Sequence, residues 1–206
     1  TKRPKRAGRN WEVQFCSHPR PTKMATSKPE TNTYIRLEKK GNVAEVILDR
    51  GKQLNKMDED FFDFFHEAIT QADADPEVRV ILVWAEGPIF TAGLDLFKAG
   101  PALAATDETM GAEANLEFIK LLKRWQASFT SMQKTTKPVI SAIHGKCIGG
   151  GVDLVTAADI RLATKDAQFT IAETKLAIVA DLGTLQRLTR LVGRGHAREL
   201  AFTSHY

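Results

Sequence analysis

The stretch CIGGGVDLVTAADIRLATKDAQFTIAETKLAIVADLG, residues 147–183, carries three consecutive glycines and five acids, of which Asp153, Glu173 and Asp181 stand in apolar surroundings. Carboxylates avoid such surroundings, because removing a charge from water costs free energy unless it is paired or neutralised. Just upstream, KPVISAIHG (137–145) is a continuous apolar run with β-branched residues, the pattern of a buried central strand. Glycines that follow such a strand and lead into a helix leave free backbone N–H groups at the helix N-terminus, a natural place for negative charge. Taken alone, a Gly-Gly-Gly turn more often serves tight packing or a cap. These three acids are 20 and 8 residues apart, so they share no single helical face. They meet only if the chain folds back over one pocket.

The rest of the chain supplies the frame for that folding. TYIRLEKKGNVAEVILDR (33–50) reads as two strands, Thr33 to Lys39 and Val43 to Leu48, joined at Lys40-Gly41-Asn42. MDEDFFDFFHEAITQADADP places Phe61, Phe62, Phe65, Ala68, Ile69 and Ala72 at helical spacing, with acids in the first turn and Pro76 just beyond the end. EVRVILVWAEG is a second buried strand. A long helix from about Ala114 to Met132 carries Leu116, Ile119, Leu122, Trp125 and Phe129 as its apolar stripe. Strands alternating with helices define an α/β class with right-handed crossovers.

Bulk properties exclude several classes. The 206 residues are 43% hydrophobic and 26% charged, which suits one globular domain. No apolar run approaches the roughly 20 residues that span a bilayer, so no membrane partner is expected. The net charge of +4 is unevenly placed: residues 1–30 hold eight Lys or Arg against Glu12 and Glu30, a balance of +6, leaving −2 for residues 31–206. Residues 1–32 therefore read as a flexible basic tail, either a transit segment or an upstream extension ahead of Met24, with the core domain at 33–206. Cys16 and Cys147 sit in unlike settings, so a disulfide is not expected and Cys147 reads as packing. His144 and His196 have no partner at ligand spacing, so no metal is expected. Lys120, Lys123, Arg124, Lys134 and Lys137 invite an RNA-binding reading, but a solvated helix face accounts for them and nucleic acid is not expected.

A second glycine turn, GPIFTAGLDL (87–96), follows the other buried strand, and Gly93 there permits an unusual backbone angle or the close approach of a ligand. Neither turn fits a Walker A loop or a G-x-G-x-x-G fingerprint, so those phosphate motifs are absent. Together the turns could aim two N–H donors at one carbonyl oxygen, as in an oxyanion hole. Nearby carboxylates could then move protons on the adjacent carbons. Each acid also has an ordinary account: Asp153 as a first-turn residue favoured by the helix dipole, Glu173 as a solvated acid at a strand end, Asp181 as the N-cap of GTLQRLTRLVG.

In order, FTAGLDL, KPVISAIHGKCIGGGVDLVTAADIRLAT, FTIAETKLAIVADLGTLQRL and LVGRGHARELAFT resemble the crotonase (enoyl-CoA hydratase/isomerase) superfamily, from about Thr33 to the end of the chain. The likeness is closest to its Δ3,5-Δ2,4-dienoyl-CoA isomerase members, whose acid pattern is Asp, Glu, Asp; a simple hydratase is expected to carry Glu where Asp153 stands. The resemblance implies a ClpP-like fold of repeated ββα units. It implies an oxyanion hole from the N–H groups of Leu94 and Gly150, and an acyl-CoA site lined by Ala92, Gly93, Leu94, Asp95, Leu96 and Gly150. Glu173 and Asp181 become the proton-shuttling pair and Asp153 the third member of the cluster. The implied reaction isomerises 3,5-dienoyl-CoA to 2,4-dienoyl-CoA in fatty-acid β-oxidation, with coenzyme A as part of the substrate and no separate cofactor. The implied setting is a matrix-soluble mitochondrial or peroxisomal homotrimer or hexamer. Family members continue past ARELAFTSHY into C-terminal helices, a region that reads as truncated here. The competing readings are an enoyl-CoA hydratase or Δ3,Δ2-enoyl-CoA isomerase on the same fold, and an RNA-binding or scaffold protein that has kept it.

Overall fold

Strand β1 (Ile35–Lys40) turns at Gly41 and runs back antiparallel as β2 (Val43–Leu48), with Ile35 opposite Leu48 and Lys40 opposite Val43. The structure, a computed structural model, describes residues 33–99 and 111–206, so the basic tail and Cys16 lie outside the described residues. After β2 every strand of the main sheet is parallel to its neighbour. β3 (Val80–Ala85) pairs with β2, β4 (Val139–Ile143) with β3, and β6 (Ile160–Ala163) with β4, giving the order β1-β2-β3-β4-β6. Two three-residue strands, β5 (Lys146–Ile148) and β7 (Gln168–Thr170), form a second, parallel sheet.

Helices separate the strands. α1 (Glu59–Ala74) follows β2, α2 (Ala112–Lys134) follows β3, α3 (Gly150–Thr156) follows β5, and α4 (Thr184–Thr203) follows β7. The chain is thus an α/β succession in which β1-β2-α1 and β4-β5-α3 are ββα units, as the family resemblance implied, whereas β3 alone precedes α2. α1 starts where Asp58 accepts the Phe61 N–H at 3.2 Å, a side-chain cap for an otherwise orphaned donor. Its expected face is buried, and Phe64 with it. α2 lies against α1: Phe62 stacks on Trp125 with centroids 4.9 Å apart, and Phe129 packs on Phe62 and Phe65.

The apolar stripe of α2 needs correcting. Trp125, Phe129 and Met132 are buried, but Leu116 is 57% and Ile119 45% exposed. Only the C-terminal part of α2 rests on α1. Between the two parts, Phe118 and Leu122 turn toward a cavity. A helical period marks one face, whereas cover depends on what stands opposite.

The loop after β3 is held from both sides. Asn55, 1% exposed, donates through Nδ2 to the carbonyls of Glu86 and Phe90. Phe90 and Thr91 donate their N–H groups to the carbonyls of His144 and Lys146 at 3.0 and 3.1 Å. Cys147 is fully buried beneath this junction, where burial pushes its thiol pKa up, consistent with a packing role.

Candidate active site

Two glycine turns meet above this junction. Gly93 has φ +79°, and a Cβ added there would stand 2.6 Å from the Ile148 carbonyl oxygen and 3.4 Å from the Gly150 nitrogen. Only glycine lets the two backbones approach so closely. The Gly93 carbonyl accepts the Met57 N–H at 2.9 Å, and the Asp95 N–H donates to the Met57 carbonyl at 2.7 Å. In an extended segment alternate residues point their hydrogen-bonding groups to opposite sides, so the N–H of Leu94 faces away from Met57. Among the described residues neither the Leu94 nor the Gly150 N–H has a protein acceptor. The pair expected as an oxyanion hole is therefore close together and unspent.

Both turns open into a cavity of about 520 Å³, within the range of small-molecule sites. Ala92, Gly93, Leu94, Leu96 and Gly150 line it, and so do Asp153, Glu173 and Asp181. The three acids, from three different segments, are brought to one space. Asp95 is not among the lining residues; its carboxylate accepts the Phe97 N–H at 3.1 Å and closes a local turn instead.

Each acid has its own support. Glu173, 9% exposed, opens a short 3-10 turn (Glu173–Leu176) just after β7, so it is not the solvated strand-end acid that sequence allowed. Its Oε1 lies 3.1 Å from where a Cβ on Gly149 would stand, against the glycine turn, and its Oε2 is buried without a hydrogen-bond partner. Burial first, then the charges of Asp153 and Asp181, push its pKa up to about 7.

Asp153, 1% exposed, sits in the first turn of α3, and its Oδ1 accepts the Thr184 N–H at 2.5 Å. It thereby caps α4 across 31 residues of sequence, the role that the ordinary account of the sequence offered to Asp181. The N-cap position itself is Gly183, which has no side chain to contribute. Burial raises the Asp153 pKa, and the Thr184 hydrogen bonds and the charge of Arg187 oppose the rise. The Asp181 pKa is also raised by burial, while its backbone carbonyl accepts from Gln126 Nε2 at 2.8 Å. Carboxylates that raise one another's pKa let a protonated acid and an ionised base coexist near neutral pH.

Sequence reasoning missed Gln126 and Arg187, whose side chains hold the segments bearing the acids. Arg187 had a readable signal: a cation in the first turn of a helix opposes the helix dipole. Gln126 had none beyond its place in an amphipathic helix. Of the basic residues near α2, Arg124 grips Asp63 through two bonds of 2.8 and 2.9 Å, Lys137 donates to the Ala72 and Asp75 carbonyls, and Lys120 pairs with Glu117. Among the described residues no group of His, Cys, Asp and Glu is arranged to hold a metal ion, and no helix is long and apolar enough to cross a membrane.

Comparison with known proteins identifies the family. The family model for enoyl-CoA hydratase/isomerase matches residues 38–206. The mitochondrial Delta(3,5)-Delta(2,4)-dienoyl-CoA isomerase of Dictyostelium discoideum is 49% identical over 172 residues, covering 82% of this chain and 59% of that protein. The peroxisomal Delta(3,5)-Delta(2,4)-dienoyl-CoA isomerase of Arabidopsis thaliana is 41% identical over 184 residues, covering 88% of this chain and 66% of that protein. The chain thus spans about three fifths to two thirds of the length of these relatives. Among solved structures, an enoyl-CoA hydratase from Shewanella pealeana ATCC 700345 superposes with a TM-score of 0.71 at 27% identity, covering 84% of this chain and 62% of that one.

Proposed function

The chain belongs to the enoyl-CoA hydratase/isomerase family, and from that premise we propose that it converts 3,5-dienoyl-CoA to 2,4-dienoyl-CoA in fatty-acid β-oxidation. The observation that carries this reading is the clustering of Asp153, Glu173 and Asp181 around one cavity beside two unspent backbone N–H groups. The thioester carbonyl oxygen accepts from Leu94 and Gly150. A carboxylate removes a proton from C2, the resulting charge spreads over the conjugated system onto the thioester oxygen, and a protonated acid delivers a proton to C6. One proton leaves and one arrives, so the reaction needs proton carriers at both ends of a short conjugated unit, and coenzyme A enters only as part of the substrate. Donors aimed at the developing oxyanion typically contribute about 3 to 4 kcal/mol each. General acid–base groups supply roughly 10²–10⁴-fold.

Glu173 and Asp181 are the shuttling pair in this reading. Asp153, already committed through one oxygen to the Thr184 N–H, is the third member of the cluster. Its presence where a hydratase is expected to carry a second Glu favours isomerisation over hydration. The relatives named mitochondrial and peroxisomal support one of those compartments for this protein, and a homotrimer or hexamer is the assembly that the family likeness suggests.

Asp181→Asn tests the reading. The variant is expected to lose about 10²-fold or more in isomerisation, followed by the absorbance of the conjugated diene, while binding of the acyl-CoA is kept. A wild-type rate in the variant rejects Asp181 as a shuttle. Faster turnover of a simple 2-enoyl-CoA by the unaltered protein would transfer the reading to hydration.

A further inference from the structure

The loop that carries Asp181 is held at two carbonyls by side chains. Gln126 of α2 donates to the Asp181 carbonyl at 2.8 Å, and Arg187 Nη2 donates to the Leu182 carbonyl at 2.9 Å. The same Nη2 donates to the Asp153 carbonyl at 2.8 Å, Nε to Thr156 Oγ1 at 3.2 Å, and Nη1 to Gln133 Oε1 at 3.3 Å. One half-buried guanidinium therefore ties together the helix that bears Asp153, the loop that bears Asp181 and the inner end of α2. Its seat is made by Gly183, at φ +127°: a Cβ there would lie 2.0 Å from Nη2. A cation in the first turn of a helix is unfavourable toward the helix dipole, so its contacts must offset that cost, and every contact above is to a carbonyl, an amide oxygen or a hydroxyl.

We propose that Arg187 is a positioning residue for the proton transfers: it fixes the distance between the Asp153 and Asp181 backbones, and through them the aim of both carboxylates into the cavity. Arg187 is not among the residues that line the cavity. The guanidinium suits the task because its donors form a rigid fork, reaching acceptors on three segments at once, whereas an ammonium is a point donor. The inference rests on the proposed isomerase reading, since it assigns Asp181 a place in the chemistry.

Arg187→Met and Arg187→Lys in the whole chain test it, with kcat and KM measured on a 3,5-dienoyl-CoA and the folded fraction of each variant measured by chemical unfolding. A displacement on the order of an ångström at catalytic groups can cost about 10²-fold. Arg187→Met is therefore expected to lower kcat by about 10- to 100-fold per folded molecule, with KM within about twofold because ground-state binding is untouched. Arg187→Lys recovers part of the loss and falls between the two. A kcat equal to wild type in either folded variant overturns the proposal, as does a loss fully explained by the unfolded fraction. If Arg187→Met does not fold, the lysine variant decides: reduced kcat at unchanged KM supports the fork, wild-type kcat overturns it. Absence of any dienoyl isomerisation by the unaltered protein refutes the reaction assigned above, a result distinct from unaffected variants in an active protein.

Discussion

Replacing Glu173 with Gln should make the protein more stable, and more so as pH rises. The carboxyl is 9% exposed, one of its oxygens has no hydrogen-bond partner, and its pKa stands at about 7 against an ordinary 4.5. Because the folded-state pKa is the higher one, the folded protein holds more protons than the unfolded chain between those two values. Stability therefore falls as pH climbs through that window, by up to about 1.36 kcal/mol per pH unit. Integrated from pH 5 to pH 8, this one group costs the native state about 2–3 kcal/mol. Glutamine does not titrate, so Glu173→Gln should gain about 2–3 kcal/mol over wild type across that interval. Asp153 and Asp181 remain in both proteins; removing a neighbouring negative charge eases their ionisation, which acts in the same direction. Urea unfolding of both proteins at pH 5 and pH 8 measures the difference directly, and at roughly 2–4 °C per kcal/mol for a chain of this size it is also visible as a shift in Tm. An identical stability difference at the two pH values would show that Glu173 ionises in the ordinary carboxylate range, and the argument for it as a proton carrier would fail with it.

Three further expectations follow from the same geometry. Gly93→Ala forces a methyl to within 2.6 Å of the Ile148 carbonyl at a positive φ, so it should separate the Leu94 and Gly150 donors and lower kcat by about 10²–10³-fold; activity within threefold of wild type would deny those amides their role. Asp153→Ala removes the acceptor for the Thr184 N–H and should cost about 1–3 kcal/mol in chemical unfolding, whereas Asp153→Asn keeps an acceptor and should cost less; equal costs would mean that the cap contributes little. The pH–rate profile should show a limb near pH 7, where Glu173 titrates, and Glu173→Gln should abolish that limb. Its survival in the variant would assign the limb to another group.

The architecture was readable because each element announces itself locally. The Phe-rich face of α1, the hairpin at Gly41 and the apolar runs of β3 and β4 need only periodicity and turn chemistry, and each stands within a few residues of its expected place. The stripe on α2 misled at Leu116 and Ile119 because burial is set by a partner, here α1, and α1 covers only part of α2. The three-residue strands β5 and β7 fall below what alternation can show. They are nonetheless what carries the chain from β4 into the glycine turn and from β6 to Glu173.

At the site, residue types were more legible than their partners. Glycine at 93, 149 and 150 and acids in apolar sequence are conspicuous, because each breaks a local preference that only a contact elsewhere can justify. Which contact justifies each is a long-range matter. Asp181 looked like the cap of α4 from its position two residues before Gly183, yet the cap is Asp153, which reaches Thr184 from another helix. That exchange bears on mechanism. The helix N-terminus fixes the orientation of the Asp153 carboxyl and opposes, without cancelling, the rise in its pKa that burial causes, while Glu173 keeps a buried oxygen unpartnered and Asp181 receives its support at the backbone. The fold thus gives three chemically similar acids three different supports, a helix N-terminus at the side chain of Asp153, an unpartnered oxygen on Glu173 and a side-chain donor at the backbone of Asp181, through contacts that no local pattern in the sequence records.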